Sequence, residues 1–166
     1  MTMPRKISRI LVPIDFSETS GAALDYATFL AKTFSSSVEL LHVLDPMLRV
    51  AGESVMVAGK PESLIDHAWR IAEEELARLA TRLERDGIVA RAKVDSGVPW
   101  ERVVSAGERA DIIVMGTHGR TGLSRVFLGS VTDRVVQRSV TPVLTIRGAA
   151  PERVLDTVAV TTPETA

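Results

Sequence analysis

The chain has 166 residues, 20 Lys plus Arg against 21 Asp plus Glu, a formal net charge of -1, 45% hydrophobic and 25% charged residues. That is the length and mix of one soluble globular domain, and the charge balance gives no global drive toward nucleic acid or an anionic membrane. With no cysteine, disulfides, zinc–thiolate and iron–sulfur sites and thiol catalysis are excluded; 4% aromatics are too few for base-stacking platforms, and three histidines too few for a His-rich metal site.

The apolar run after the N-terminal basic residues breaks at Pro13 and Asp15, too short for a secretory leader. Nothing approaches the ~18 apolar residues of a spanning helix. The expectation is a cytoplasmic chain with no membrane segment. Ile7 to Ile14 reads as a strand buried on both faces. Ser17 is placed to cap a helix, with Glu18 suiting its positive end and an apolar stripe from Ala22 to Ala31 carrying it to about Thr33. Val38 to Val43 reads as a second strand. Residues 44–61 show no period, are punctuated by Pro46, Gly52, Gly59 and Pro61, and read as a long loop that is either functional or mobile.

From Pro61 to about Arg85 the helical signal is strong, with Ile65, Trp69, Ile71, Ala72, Leu76, Leu79, Ala80 and Leu83 as the apolar stripe and Gly87 where a C-terminal cap belongs. Ile88 to Val94 is a third strand candidate. Pro99 suits the first turn of a helix running to about Arg109. Asp111 to Met115 is the clearest buried strand. A helix follows from near Ser130 to about Arg138, then a last strand over Pro142 to Arg147. Strands alternating with helices predict an α/β fold, a parallel sheet with helices on both faces. Residues 148–166 differ: two prolines, four threonines and no aromatic predict a disordered tail, or a short docking arm built on Val154, Leu155, Val158 and Val160.

The chemistry concentrates between Gly116 and Ser130. This glycine-rich stretch follows a buried strand and precedes a helix, and from 116 to 132 it carries His118, Arg120 and Arg125 but no carboxylate. Open α/β sheets bind ligands at the carboxyl ends of their strands, and a helix N-terminus favours anions. The segment therefore describes a polyphosphate site, though glycine content alone suits a plain mobile connection equally well. It is neither a Walker A loop nor a dinucleotide fingerprint.

The spacing Gly116-x2-Gly119-x9-Gly129-Ser130 resembles the ATP-binding signature of the universal stress protein family. Residues 10–17 (ILVPIDFS) resemble the family's opening strand and turn. Leu41-His42-Val43, Asp111 to Gly116 and Thr141 to Leu144 resemble its second, fourth and fifth strands. The resemblance covers about residues 5–147. It implies one Rossmann-like domain over 1–147, a five-stranded parallel sheet in the order 3-2-1-4-5, and a homodimer joined through the last strand. It also implies an ATP site. Asp15 would bond the ribose or phosphate side, while Pro13, Val43 and Met115 frame adenine and ribose. Gly116, Gly119, Gly129, Ser130 and Val131 would surround the triphosphate.

Each residue also has a plainer reading. Asp15 is a site carboxylate, and a potential Mg²⁺ ligand beside phosphates, or a turn residue closing the strand. Arg120 and Arg125 are phosphate clamps or simply exposed, and His118 a passive donor or a proton shuttle. Ser17 reads as a cap, His42 as a satisfied core histidine, His67 as a surface residue, and Trp69 and Trp100 as packing residues. Three functions stay open: an ATP-binding stress and signalling protein with an unknown protein partner, a slow ATPase or autophosphorylating phosphotransferase, and a structural dimer without nucleotide.

Overall fold

The computed structural model describes residues 6–45, 54–57, 59–117 and 129–147. Five strands form the main sheet: β1 (Arg9–Pro13), β2 (Ser37–Leu44), β5 (Ala90–Ser96), β6 (Ile112–Gly116) and β7 (Val143–Ile146), of which β1, β2 and β6 carry the buried apolar runs. They make one sheet in the order β5-β2-β1-β6-β7, parallel throughout. Counting only these five strands, this is the order 3-2-1-4-5. The β1 side chains alternate between the two faces, as strand geometry requires. Ile10, Val12 and Ile14 enter the core under α1 (Glu18–Phe34) and α2 (Leu64–Arg85). Leu11 enters the core under α3 (Pro99–Gly107) and α4 (Ser130–Arg138), together with Leu41, Ile113 and Met115.

The helix ends follow local chemistry. Ser17 is extended at the N-cap of α1, and its Oγ accepts from Ser20 N–H at 3.2 Å. At the end of α2, Gly87 has φ +78, Gly87 N–H donates to Glu84 O at 2.9 Å, and Ile88 N–H donates to Leu83 O at 3.0 Å. This is a Schellman cap, whose hydrophobic contact is supplied by Ile88 and Leu83 in one cluster. Ile88 is thereby used in the cap, and strand β5 begins at Ala90 instead of at Ile88. Pro99 stands in the first turn of α3.

The stretch at 44–61 is not a single long loop. β2 runs to Leu44, and β3 (Ser54–Val57) pairs antiparallel with β4 (Lys60–Ser63), turning through Gly59 at φ +79. That pairing takes the residues from Lys60 to Ser63, so α2 opens at Leu64 and not at Pro61. His67 is half-buried at the junction, its Nδ1 3.1 Å from Glu62 Oε2 and 2.9 Å from Arg70 Nη2, so it is not a plain surface residue. Trp100 packs against the α3/α4 core, with the guanidiniums of Arg134 and Arg138 each 5.7 Å from its ring centroid. Trp69 is half-buried, and its Nε1 donates to Glu73 Oε1 at 2.9 Å. No helix among the described residues is long and apolar enough to cross a membrane. The tail at 148–166 lies outside the described residues.

Candidate functional site

β1 and β6 are neighbours, but the chain leaves them in opposite directions, toward β2 from β1 and toward β7 from β6. A crevice at their carboxyl ends follows from that reversal. A cavity of about 260 Å³ lies there. Pro13, Ile14 and Asp15 line it from the end of β1, Leu41, His42 and Val43 from β2, and Met115 and Gly116 from β6. Gly129, Ser130, Val131 and Thr132 close it from the start of α4, with Pro99 and Val103 of α3 behind.

All the described residues of the motif therefore meet in one place: Pro13, Asp15, Val43, Met115, Gly116, Gly129, Ser130 and Val131. Gly119, His118, Arg120 and Arg125 lie outside the described residues. Seven residues outside the expected site also line the cavity: Ile14, Ser20, Leu41, His42, Pro99, Val103 and Thr132. For Thr132 a signal existed, because its hydroxyl sits in the first turn of the helix that was expected to bind anions.

One end of the cavity is built to meet negative charge. Gly129 is the N-cap of α4, and no side chain caps this helix. The Gly129 N–H is already spent on Thr117 O at 2.6 Å, and the first helical bond runs from Asp133 N–H to Gly129 O at 2.8 Å. The N–H groups of Ser130, Val131 and Thr132 precede that bond and have no intrahelical acceptor. Three donors and the positive helix end thus stand at the cavity wall, with no capping side chain among the described residues. Thr132 Oγ1 donates to Gly116 O at 2.8 Å, which ties this turn to the end of β6. Pro13, Leu41, Val43, Val103 and Met115 give the cavity an apolar lining that suits the flat face of a base.

Asp15 has the turn role expected of it and stands in the cavity wall. Its Oδ1 accepts from Ser17 N–H at 3.0 Å and from Ser17 Oγ, which closes the β1–α1 turn, and the residue also lines the cavity. Among the described residues no three His, Cys, Asp or Glu side chains group as metal ligands. Gly116 has a reason of its own to lack a side chain: a Cβ there would lie 2.9 Å from the Thr19 backbone.

The chain matches the universal stress protein family over residues 6–147. It is 33% identical over 152 residues to universal stress protein MJ0577 of Methanocaldococcus jannaschii, covering 84% of this chain and 94% of that one. The solved structure of MJ0577 is similar with a TM-score of 0.75 at 31% identity, covering 88% of this chain and 99% of that one. Universal stress protein YxiE of Bacillus subtilis is 30% identical over 146 residues, covering 84% and 99% of the two chains. A universal stress protein of Archaeoglobus fulgidus, solved in complex with dAMP, shares the fold with a TM-score of 0.61 at 20% identity, over 86% of this chain and 99% of that one. The chain belongs to the universal stress protein family.

Proposed function

We propose that this protein binds ATP in the cavity at the ends of β1, β2 and β6, and that its output is nucleotide-dependent binding of a partner and not turnover. The observation that carries the reading is the uncapped start of α4 facing an apolar cleft, which pairs a phosphate end with a base end. In this reading the base and ribose lie against Pro13, Val43 and Met115, with Asp15 at the ribose or phosphate side. The phosphates meet Gly116, Gly129, Ser130 and Val131, with Gly119, His118, Arg120 and Arg125 supplied by the segment between. Asp15 supplies one carboxylate oxygen toward Mg²⁺, which commonly takes one or two carboxylates plus phosphates and water. That a protein of this fold is known with dAMP supports the choice of an adenine nucleotide.

The unit that acts is one domain over residues 1–147, cytoplasmic, and paired with a second copy through β7. The two sheet edges support that choice. β5 exposes Arg91 and Lys93, charges that blunt an edge. β7 has the uncharged sequence VLTI, and Val140 just before it is 87% exposed.

Gly129→Asp tests the site. Gly129 has φ -59 and ψ 149, open to any residue, and an N-cap Asp bonds the free N–H groups itself. The variant should hold or slightly raise its melting temperature while losing ATP affinity at least about tenfold by calorimetric titration. Unchanged ATP affinity in the folded variant would remove the phosphate end from α4.

A further inference from the structure

His42 is a buried histidine with a satisfied ring nitrogen, and it is also part of the cavity wall. Its Nδ1 lies 2.6 Å from Ile14 O. A carbonyl only accepts, so Nδ1 carries the proton and donates. The Ile14 N–H in turn donates to Leu41 O at 2.8 Å. Both backbone polar groups of Ile14, one residue past the end of β1, are therefore held by two adjacent residues of β2. The His42 ring also lies against Phe16, with centroids 4.7 Å apart and planes tilted by 39°. Phe16 has φ +62, a left-handed conformation that a bulky residue keeps only where its surroundings hold it. Asp15 stands between these two anchors. A single side chain grips the residue on each side of it.

We infer that His42 is a positioning residue for Asp15. By holding the Ile14 carbonyl through Nδ1 and the Phe16 ring through its face, it fixes the turn that presents the Asp15 carboxylate to a bound nucleotide. The inference rests on the nucleotide reading above. Its energetic signature is coupling: the contribution of His42 to affinity passes through Asp15 and vanishes when Asp15 has no carboxylate.

The experiment is a double-mutant cycle on the full chain, with ATP as the probe and affinity read by calorimetry. His42→Leu, which removes the donor and keeps an apolar side chain, should weaken binding about tenfold. His42→Asn places an amide N–H the same number of bonds from the backbone as Nδ1, and it should recover part of the loss. In an Asp15→Ala background, His42→Leu should change affinity by less than about twofold. An equal loss in both backgrounds would make His42 a packing residue only and overturn the inference. Should His42→Leu not fold, His42→Gln, with its donor one bond too far out, takes its place. The nucleotide-free protein gives a separate readout. The Asp15 carboxyl carbon resonance and the Phe16 amide resonance should move in His42→Leu and return toward wild type in His42→Asn. If wild type binds no ATP, the nucleotide reading falls, and these resonances decide the positioning role alone: unmoved signals sink it.

Discussion

Two glycine-to-alanine changes on either side of the α1–β6 contact, Gly116→Ala on β6 and Gly21→Ala on α1, should have opposite signs. At Gly116, the last residue of β6, an added Cβ would stand 2.9 Å from the carbonyl carbon, the Cβ and the carbonyl oxygen of Thr19. Optimal carbon contacts are about 3.5–4.0 Å, so the overlap exceeds half an ångström against the two carbons, one of them backbone, and the backbone oxygen is equally close. Thr19 cannot withdraw alone. It lies in the first turn of α1, which the Ser17 cap fixes and whose Ala22, Ala23 and Ala27 are buried against the sheet. Gly116→Ala should therefore cost about 1–3 kcal/mol, the usual range for overpacking. For a chain of this size that lowers the melting temperature by about 2–12 °C. At Gly21, exposed in α1, a Cβ meets nothing within 4 Å. Gly21→Ala should add about 0.5–1 kcal/mol through helix propensity alone. Urea denaturation of both variants beside wild type, with equal m-values, checks the pair. A Gly116→Ala protein as stable as wild type would refute the claim that packing against Thr19 demands glycine there.

Three further outcomes follow from the geometry. Ser17→Ala removes the acceptor for Ser20 N–H and a donor to Asp15, and should cost about 1 kcal/mol, read as a lower urea midpoint; an unchanged midpoint would deny the cap a role. Glu62, Asp86 and Asp95 are held below the ordinary carboxylate range, chiefly by hydrogen bonds from Arg70, Lys32 and Lys93 respectively. Carboxylates with depressed folded-state values stabilise the fold above their unfolded values, near pH 4, and lose that contribution as pH falls through the folded ones. The urea midpoint should thus drop between about pH 5 and pH 3, and less steeply in Glu62→Gln. On β7, Pro142 O and Ile146 O bond toward β6, so by alternation the N–H of Thr145 points to the open edge. Under the proposed pairing through β7, Thr145→Pro should shift sedimentation from dimer toward monomer while leaving the β6–β7 ladder intact; an unshifted profile, or a monomeric wild type, would refute that pairing.

The strands and helices were legible where burial is strong and local. Ile10 to Val12 and Ile112 to Val114 are continuous apolar runs because their sheet is covered on both faces. The helix-end signals at Ser17, Gly87 and Pro99 were equally legible, since each depends on a few consecutive residues. Strand order was not contained in the apolar pattern, which predicts alternation only; the family resemblance supplied it. The β3–β4 hairpin was hidden because four-residue strands interrupted by Pro61 have no room to show alternation, and only Gly59 marked the turn.

The site divides in the same way, and the division separates two glycines that look alike in the motif. Gly116 is explained by a neighbour 97 positions earlier in the chain, Thr19, whose backbone leaves no space for a side chain whether or not a ligand is present. Gly129 is read from its backbone angles and its place at the helix start. Its φ and ψ suit any residue, so conformation does not demand glycine there, and Ser, Thr, Asp and Asn are the stronger caps. What glycine provides at that position is an uncapped helix start beside a cavity, with three N–H groups left for something else to bond. The argument for an anion therefore rests on Gly129 and the first turn of α4, and it would stand if Gly116 were set aside. His42 shows the converse limit. Its burial was legible from its apolar strand, but its hold on Ile14, 28 residues away, exists only because β1 and β2 pair in the register that sets Pro13 beside Leu41.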